Sequence, residues 1–187
     1  MSGATRPRRA DAVRNRERVV AAAAAVFAER GVEAGVPEVA ARAGVGKATV
    51  YRSFPTKEHL IAAVVSERIR EFEHRARARL ADPDPWGALV ALFAEGAERH
   101  CADRAITAGI SAAIELPELV AARASLWDAV EQLMEGAKRQ GRMRADARPG
   151  DLRVLWAGAA RVLAADGVED PAEWRRYAAL VVDALRV

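Results

Sequence analysis

Apolar positions in this chain recur at helical spacing from near the start to the end, and strand-like alternation is nowhere sustained. Val20, Ala23, Ala24 and Phe27 form one stripe, which predicts a first helix over residues 13–30 that Gly31 ends. Val39, Ala40 and Ala43 form a second stripe, interrupted by Gly44-Val45-Gly46. A third follows in Ala48, Val50, Tyr51 and Phe54. Glycine at 44 tolerates the positive φ that stops a helix sharply, and Val45 is placed to plug the angle between two short helices. Thr56 after Pro55 then predicts a capped fourth helix from Lys57 to Leu80, with Ile61, Val64, Val65, Ile69 and Phe72 on its packing side.

Ala81-Asp82-Pro83-Asp84-Pro85 is a clear break. Beyond it the pattern predicts helices over residues 86–100, 104–115, 118–140, 151–165 and 171–186, with a loop over 141–150. The last two are amphipathic. Leu152, Leu155, Trp156, Ala159 and Leu163 fall on one face, and Trp174, Tyr177, Ala178, Val181, Val182 and Leu185 on the other helix's face. Monomer core accounts for such stripes as well as a subunit interface does. The expected fold is all-α. A small helix-turn-helix domain at residues 13–57 follows a flexible basic arm at 1–12, and a connecting helix at 58–80 leads to a helical regulatory and dimerisation domain at 81–187.

Composition adds to this picture mainly through charge. The chain of 187 residues has a formal net charge of only +3, but residues 1–57 hold eleven cations against five anions. A local charge of +6 therefore sits on a remainder of about −3, which points to a polyanionic partner at the amino-terminal end. Lys47, Thr49, Arg52 and Ser53 crowd the second short helix together with Tyr51, and Lys57 opens the next. Cations and hydroxyls suit phosphate oxygens and base edges, whereas an ordinary solvated helix face is the plainer reading of the same residues.

Several function classes find no support. The single cysteine, Cys101, excludes an intramolecular disulfide and supplies no zinc site, so neither cofactor nor metal is expected, and His100 beside it reads as a core or rim residue. Glu58 and His59 form no His-Glu-x-x-His pair because position 62 is alanine, and no phosphate loop or nucleophile elbow is present. Neither a signal peptide nor a long apolar span is found, so the chain is expected to be cytoplasmic and not membrane-bound. A helical adaptor that binds another protein remains an alternative, although the basic segment would be purposeless there.

From about Asn15 to Val65 the sequence resembles the DNA-binding domain of the TetR family of transcriptional regulators. The matching stretches are RVVAAAAAVFAERG at 18–31, EVAARAGV at 38–45 and KATVYRSFPTKEHL at 47–60. The resemblance covers roughly the first third of the chain, and it departs from the family pattern at Gly35-Val36, where a capping Ser or Thr is common. By this resemblance Lys47, Ala48, Thr49, Tyr51 and Ser53 face DNA. Lys47 is expected to reach a guanine edge or a phosphate, and Thr49 a thymine or a phosphate. Tyr51 and Lys57 are expected to clamp the backbone, and Arg52 to contact a phosphate or to be surface charge. The family pattern also implies a homodimer joined through the last two helices, for which the candidates are Leu152, Leu155, Trp156, Ala159, Leu163, Trp174, Tyr177, Ala178, Val181 and Leu185. It further implies a small-molecule effector. Phe93, His100, Ile110, Trp127, Met134 and Trp156 are candidate pocket walls, although packed core explains aromatic and methionine stripes more often. The expected function is a repressor released from a near-palindromic operator, with a regulator that has no small-molecule inducer as the alternative.

Overall fold

The computed structural model describes residues 5–102 and 116–187, with side chains from Asp11 onward. The helix expected over 104–115 and the candidate Ile110 lie outside the described residues. The order is α1 (Thr5–Arg30), α2 (Val36–Ala43), α3 (Lys47–Ser53), α4 (Lys57–Ala78), α5 (Pro85–Ala102), α6 (Pro117–Arg139), α7 (Pro149–Ala165) and α8 (Pro171–Asp183). None of the described helices is long and apolar enough to cross a membrane.

One boundary differs plainly from the expected one. The first helix starts at Thr5, so most of the segment read as a flexible arm continues α1. Ala10, Ala12 and the arginines are good helix formers, Pro7 falls within a first turn that tolerates it, and Asp11 pairs with Arg14 three residues on. At the other end α8 stops at Asp183, short of the expected Arg186. Arg144 N donates to the Leu185 carbonyl at 2.9 Å there, so the tail pairs with the 141–148 loop. Met143 and Ala147 of that loop are buried, which makes it part of the core.

Two cores result. The amino-terminal one joins α1, α2, α3 and the start of α4 through Val19, Ala23, Phe27, Val39, Val50, Phe54 and Leu60. Phe27, Val50 and Phe54 each retain 1% exposure, so they fix how α3 sits on its support. The larger core gathers α5, α6, α7 and α8 around Leu92, Phe93, Leu133, Met134, Leu152 and Trp174. Helix α4 belongs to both, with α1 on its early part and α6 along its length. Where α4 meets α5, Gly96 lets the helices close. A Cβ there would lie 2.9 Å from Cζ of Phe72.

Candidate nucleic-acid interface

The turn between α2 and α3 is built by its glycines and a plug residue. Gly44 has φ +66°, the left-handed conformation that side chains disfavour, and Val45 N donates back to the Ala40 carbonyl at 3.0 Å. Gly46 follows in extended conformation as the N-cap of α3, and its carbonyl accepts from Thr49 N at 2.8 Å. No side chain caps α3, so the N–H groups of Lys47 and Ala48 at its start face solvent or a ligand. At the start of α2 the missing Ser or Thr is partly replaced from inside the helix. Glu38 Oε1 accepts from Gly35 N at 3.1 Å, and that bond holds its carboxyl below the ordinary glutamate range, with Arg30 adding to the effect.

Helix α3 turns Val50 into the core and presents the opposite side to solvent. Lys47, Ala48, Tyr51 and Arg52 are exposed, while Thr49 and Ser53 are half-buried along the flank. Lys47 Nζ lies 5.7 Å from the centroid of the Tyr51 ring, close enough for the ring face to steady the ammonium. Lys57 is half-buried in the first turn of α4, whose N-cap hydroxyl, Thr56 Oγ1, accepts from His59 N at 3.4 Å. That hydroxyl, more than any other group, also keeps the Glu58 carboxyl below its ordinary range. All seven candidate contact residues therefore lie on α3 or just beyond it. The cations nearby on α1 and α2 are engaged within the protein. Arg42 donates to both carboxylate oxygens of Glu29 at 2.7 Å, and Arg30 pairs with Glu38. With those two paired, Lys47 and Arg52 are the exposed cations of α3.

The predicted residues farther along the chain sort differently. Phe93, His100 and Trp156 come together with Trp174, a residue expected at the subunit interface. Trp156 meets Phe93 and His100 edge-on at 6.1 and 5.4 Å, and His100 stacks on Trp174 at 6.2 Å between centroids. His100 Nδ1 lies 2.9 Å from the Gly96 carbonyl, to which it donates. Met134 is fully buried and Trp127 half-buried within the same core. Cys101 donates to the Glu169 carbonyl at 3.3 Å, and burial beside Asp170 and Glu169 pushes its thiol up, away from nucleophilic chemistry.

Burial divides the interface candidates. Leu152, Leu163, Trp174, Ala178, Val181 and Leu185 are buried within the protomer. Trp156 and Ala159 are half-buried, while Leu155 and Tyr177 stay open at 42% and 37% exposure. Beside them lie three residues that periodicity did not single out: Val154, Val162 and Leu180, at 63%, 56% and 52%. A cleft of about 360 Å3 runs along this face between Gly158, Ala159, Val162, Val168 and Tyr177. Helix α7 is apolar on nearly every side, so spacing alone did not say which stripe turns inward.

Comparison with known proteins agrees with this architecture at both ends of the chain. Residues 19–64 match the model of bacterial regulatory proteins of the tetR family, and residues 84–187 match that of the SbtR-like transcriptional regulator carboxy-terminal domain. The TetR transcriptional regulator SCO0520 from Streptomyces coelicolor is 30% identical with a TM-score of 0.64. The alignment covers 91% of this chain and 98% of that one. A TetR regulatory protein from Mycobacterium vanbaalenii is 34% identical with a TM-score of 0.62, covering 96% and 99%. FadR from Bacillus subtilis, solved with stearoyl-CoA, shares the fold at a TM-score of 0.70 and 14% identity, over 90% and 98% of the two chains. No curated protein sequence matches. By these matches at both domains, the chain belongs to the TetR family of transcriptional regulators, which are DNA-binding proteins and not enzymes.

Proposed function

We propose that the protein is a homodimeric repressor that holds a near-palindromic operator and releases it on binding a small apolar molecule. The observation that carries the dimer is the open apolar face of α7 and α8, where Val154, Leu155, Val162, Tyr177 and Leu180 stand in solvent. Contiguous exposed apolar surface of this kind marks an interaction site, and a two-fold axis lets one such face cover its own copy. Exposed Ala157 and Gly158 would allow close helix approach there.

In the dimer two α3 helices lie about one DNA turn, roughly 34 Å, apart, which selects a near-palindrome. Lys47 and Arg52 supply charge at the major groove, Ala48 and Thr49 offer methyl groups to thymine, and Ser53 lies at the rim. Tyr51 and Lys57 hold the phosphate backbone on either side. The effector enters the regulatory domain, residues 81–187, among the helices that carry Phe93, His100, Trp127, Met134 and Trp156. It acts by fitting a spacing of the two readers that does not match DNA. Support for the effector comes from family membership. The test is selection of genomic fragments by the purified protein, followed by titration of the selected duplex at several salt concentrations. A near-palindromic site with a steep salt slope supports the reading, and binding of equal strength on all sequences counts against it.

A further inference from the structure

Helix α4 is not the whole connection between the DNA-reading head and the regulatory domain, because Arg16 makes a second one. Its Nη1 donates to the Ser53 carbonyl at the last residue of α3, at 3.1 Å. Its guanidinium carbon lies 4.3 Å from the centroid of the Phe54 ring. Its Nη2 faces Glu118 Oε2 at 3.5 Å, across more than a hundred residues of sequence. One planar group thus caps the recognition helix, covers its anchoring phenylalanine and reaches into another domain.

The residue it reaches is firmly mounted. Glu118 stands in the first turn of α6, and the next residue, Leu119, is fully buried against Ala62 and Val65 of α4, with Ile61, Ile69 and Leu116 around it. The same helix carries Trp127 and Met134 into the regulatory core. A shift of α6 therefore changes two things at once: the packing under α4 and the reach from Glu118 to Arg16.

We infer that Arg16 is a positioning residue for operator binding, and that the Arg16–Glu118 pair couples the angle of the recognition helix to the position of α6. The inference rests on the operator-binding reading above and assigns it a coupling route. Arg16 contacts no DNA in this role, since its guanidinium is committed to Ser53, Phe54 and Glu118. The pair is partly exposed, with 43% and 36% of the two side chains accessible, so its effect is modest. Such pairs shift an equilibrium by about twofold to fivefold, and two copies in a dimer multiply to about fourfold to twenty-five-fold.

Glu118→Asp keeps the negative charge that favours a helix start but shortens the reach, while Glu118→Gln keeps the length and removes the charge. Arg16→Met removes the guanidinium. Spin labels at Ala41 and Gln132, both exposed, report the distance between head and regulatory domain within one chain, in a Cys101→Ser background diluted with unlabelled protein. This readout needs neither operator nor effector, so it fails or succeeds independently of the proposed function. The expected result is a broader distance distribution for all three variants, with the Tm of Glu118→Asp unchanged. On the selected duplex, affinity falls about fourfold to twenty-five-fold with an unchanged salt slope, and Arg16→Met combined with Glu118→Gln is no worse than Arg16→Met alone. A wild-type distribution in both Glu118 variants overturns the inference. So does a salt slope that drops in Arg16→Met, because that identifies a phosphate contact. If Arg16→Met is too unstable to purify, the two Glu118 variants decide.

Discussion

Helix α3 and the α7–α8 pair each bury one side in the protomer and expose the other, but they expose opposite chemistries. The open side of α3 carries the cations Lys47 and Arg52 around Tyr51, whereas that of α7 and α8 carries Val154, Val162 and Leu180. A cationic face is stable in water and gains from a polyanion through counterion release, so it can stand empty between binding events. An apolar face of that size has no comparable reason to remain in water. On the proposed function, the difference teaches which partner is permanent: the second copy would stay, and the DNA would come and go.

The sharpest way to break that contrast is to charge the apolar face. Leu180→Glu, at an exposed position, should leave the protomer folded but convert the dimer to monomer, because it places two unpaired charges at the two-fold contact. The dimer should weaken by about 3–5 kcal/mol, read by sedimentation across a concentration series. Operator affinity should fall with it, since each half-site then binds alone. A dimer of unchanged strength would show that this face is not the contact.

The next test empties the support of the cationic face. Phe54→Ala removes a fully buried ring beneath α3 and should cost about 3–5 kcal/mol. The loss should appear in the head first, as faster hydrogen exchange in α1–α3 with α5–α8 still protected. Gly44→Ala probes the same support more gently. Its φ of +66° costs a side chain about 1–2 kcal/mol, measurable as a lower Tm.

These changes also mark how much was legible in the sequence. The head was readable as helices and turns, since its glycines stand at chain reversals, but not in every facing residue: Val19, Ala22 and Val26 join Ala23 and Phe27 in the core, whereas Val20 and Ala24 are only partly buried and Ala48 and Tyr51 are exposed. Val50 and Phe54 turned inward as their spacing requires. The regulatory domain was readable as helices but not as faces. In α7 the stripe of Leu152 and Leu163 and the stripe of Val154 and Val162 are equally apolar, and only packing against α8, α6 and α5 separates them. Spacing likewise gave no sign that Trp174 joins the aromatic cluster around His100. Arg16 was invisible as a junction because neither Ser53 nor Glu118 is near it in sequence.

Smaller effects sharpen the contrast on the cationic side. Lys57→Ala and Tyr51→Ala should weaken binding alike on all duplexes. For Lys57 the plot of log K against log salt should flatten by about one unit per protomer, read from titrations at several salt concentrations. An unchanged slope would remove Lys57 from the phosphate contacts.

The smallest expected effect is that of pH on stability. Glu73 is held below its ordinary value of 4.5 first by the Ser125 hydroxyl and then by Arg77, and Glu29 is lowered by Arg42. A depressed folded value means that the unfolded chain takes up protons first as pH falls. The stabilisation is therefore complete above the ordinary glutamate range and is lost as pH drops through the folded values. Thermal melts should show Tm falling below about pH 4.5, with Glu73→Gln losing part of that dependence. A Glu73→Gln profile that parallels the wild type would contradict the assignment.

Whether one dimer occupies one two-fold site is read from the mass of the protein–duplex complex. The genomically selected duplex is mixed with increasing protein, and the mass of each species is read by sedimentation or single-particle mass measurement. The account predicts a first complex of two protomers per duplex, with both half-sites protected and their centres about one DNA turn apart. A complex of one protomer, or a ladder of species that ignores the half-sites, would contradict it.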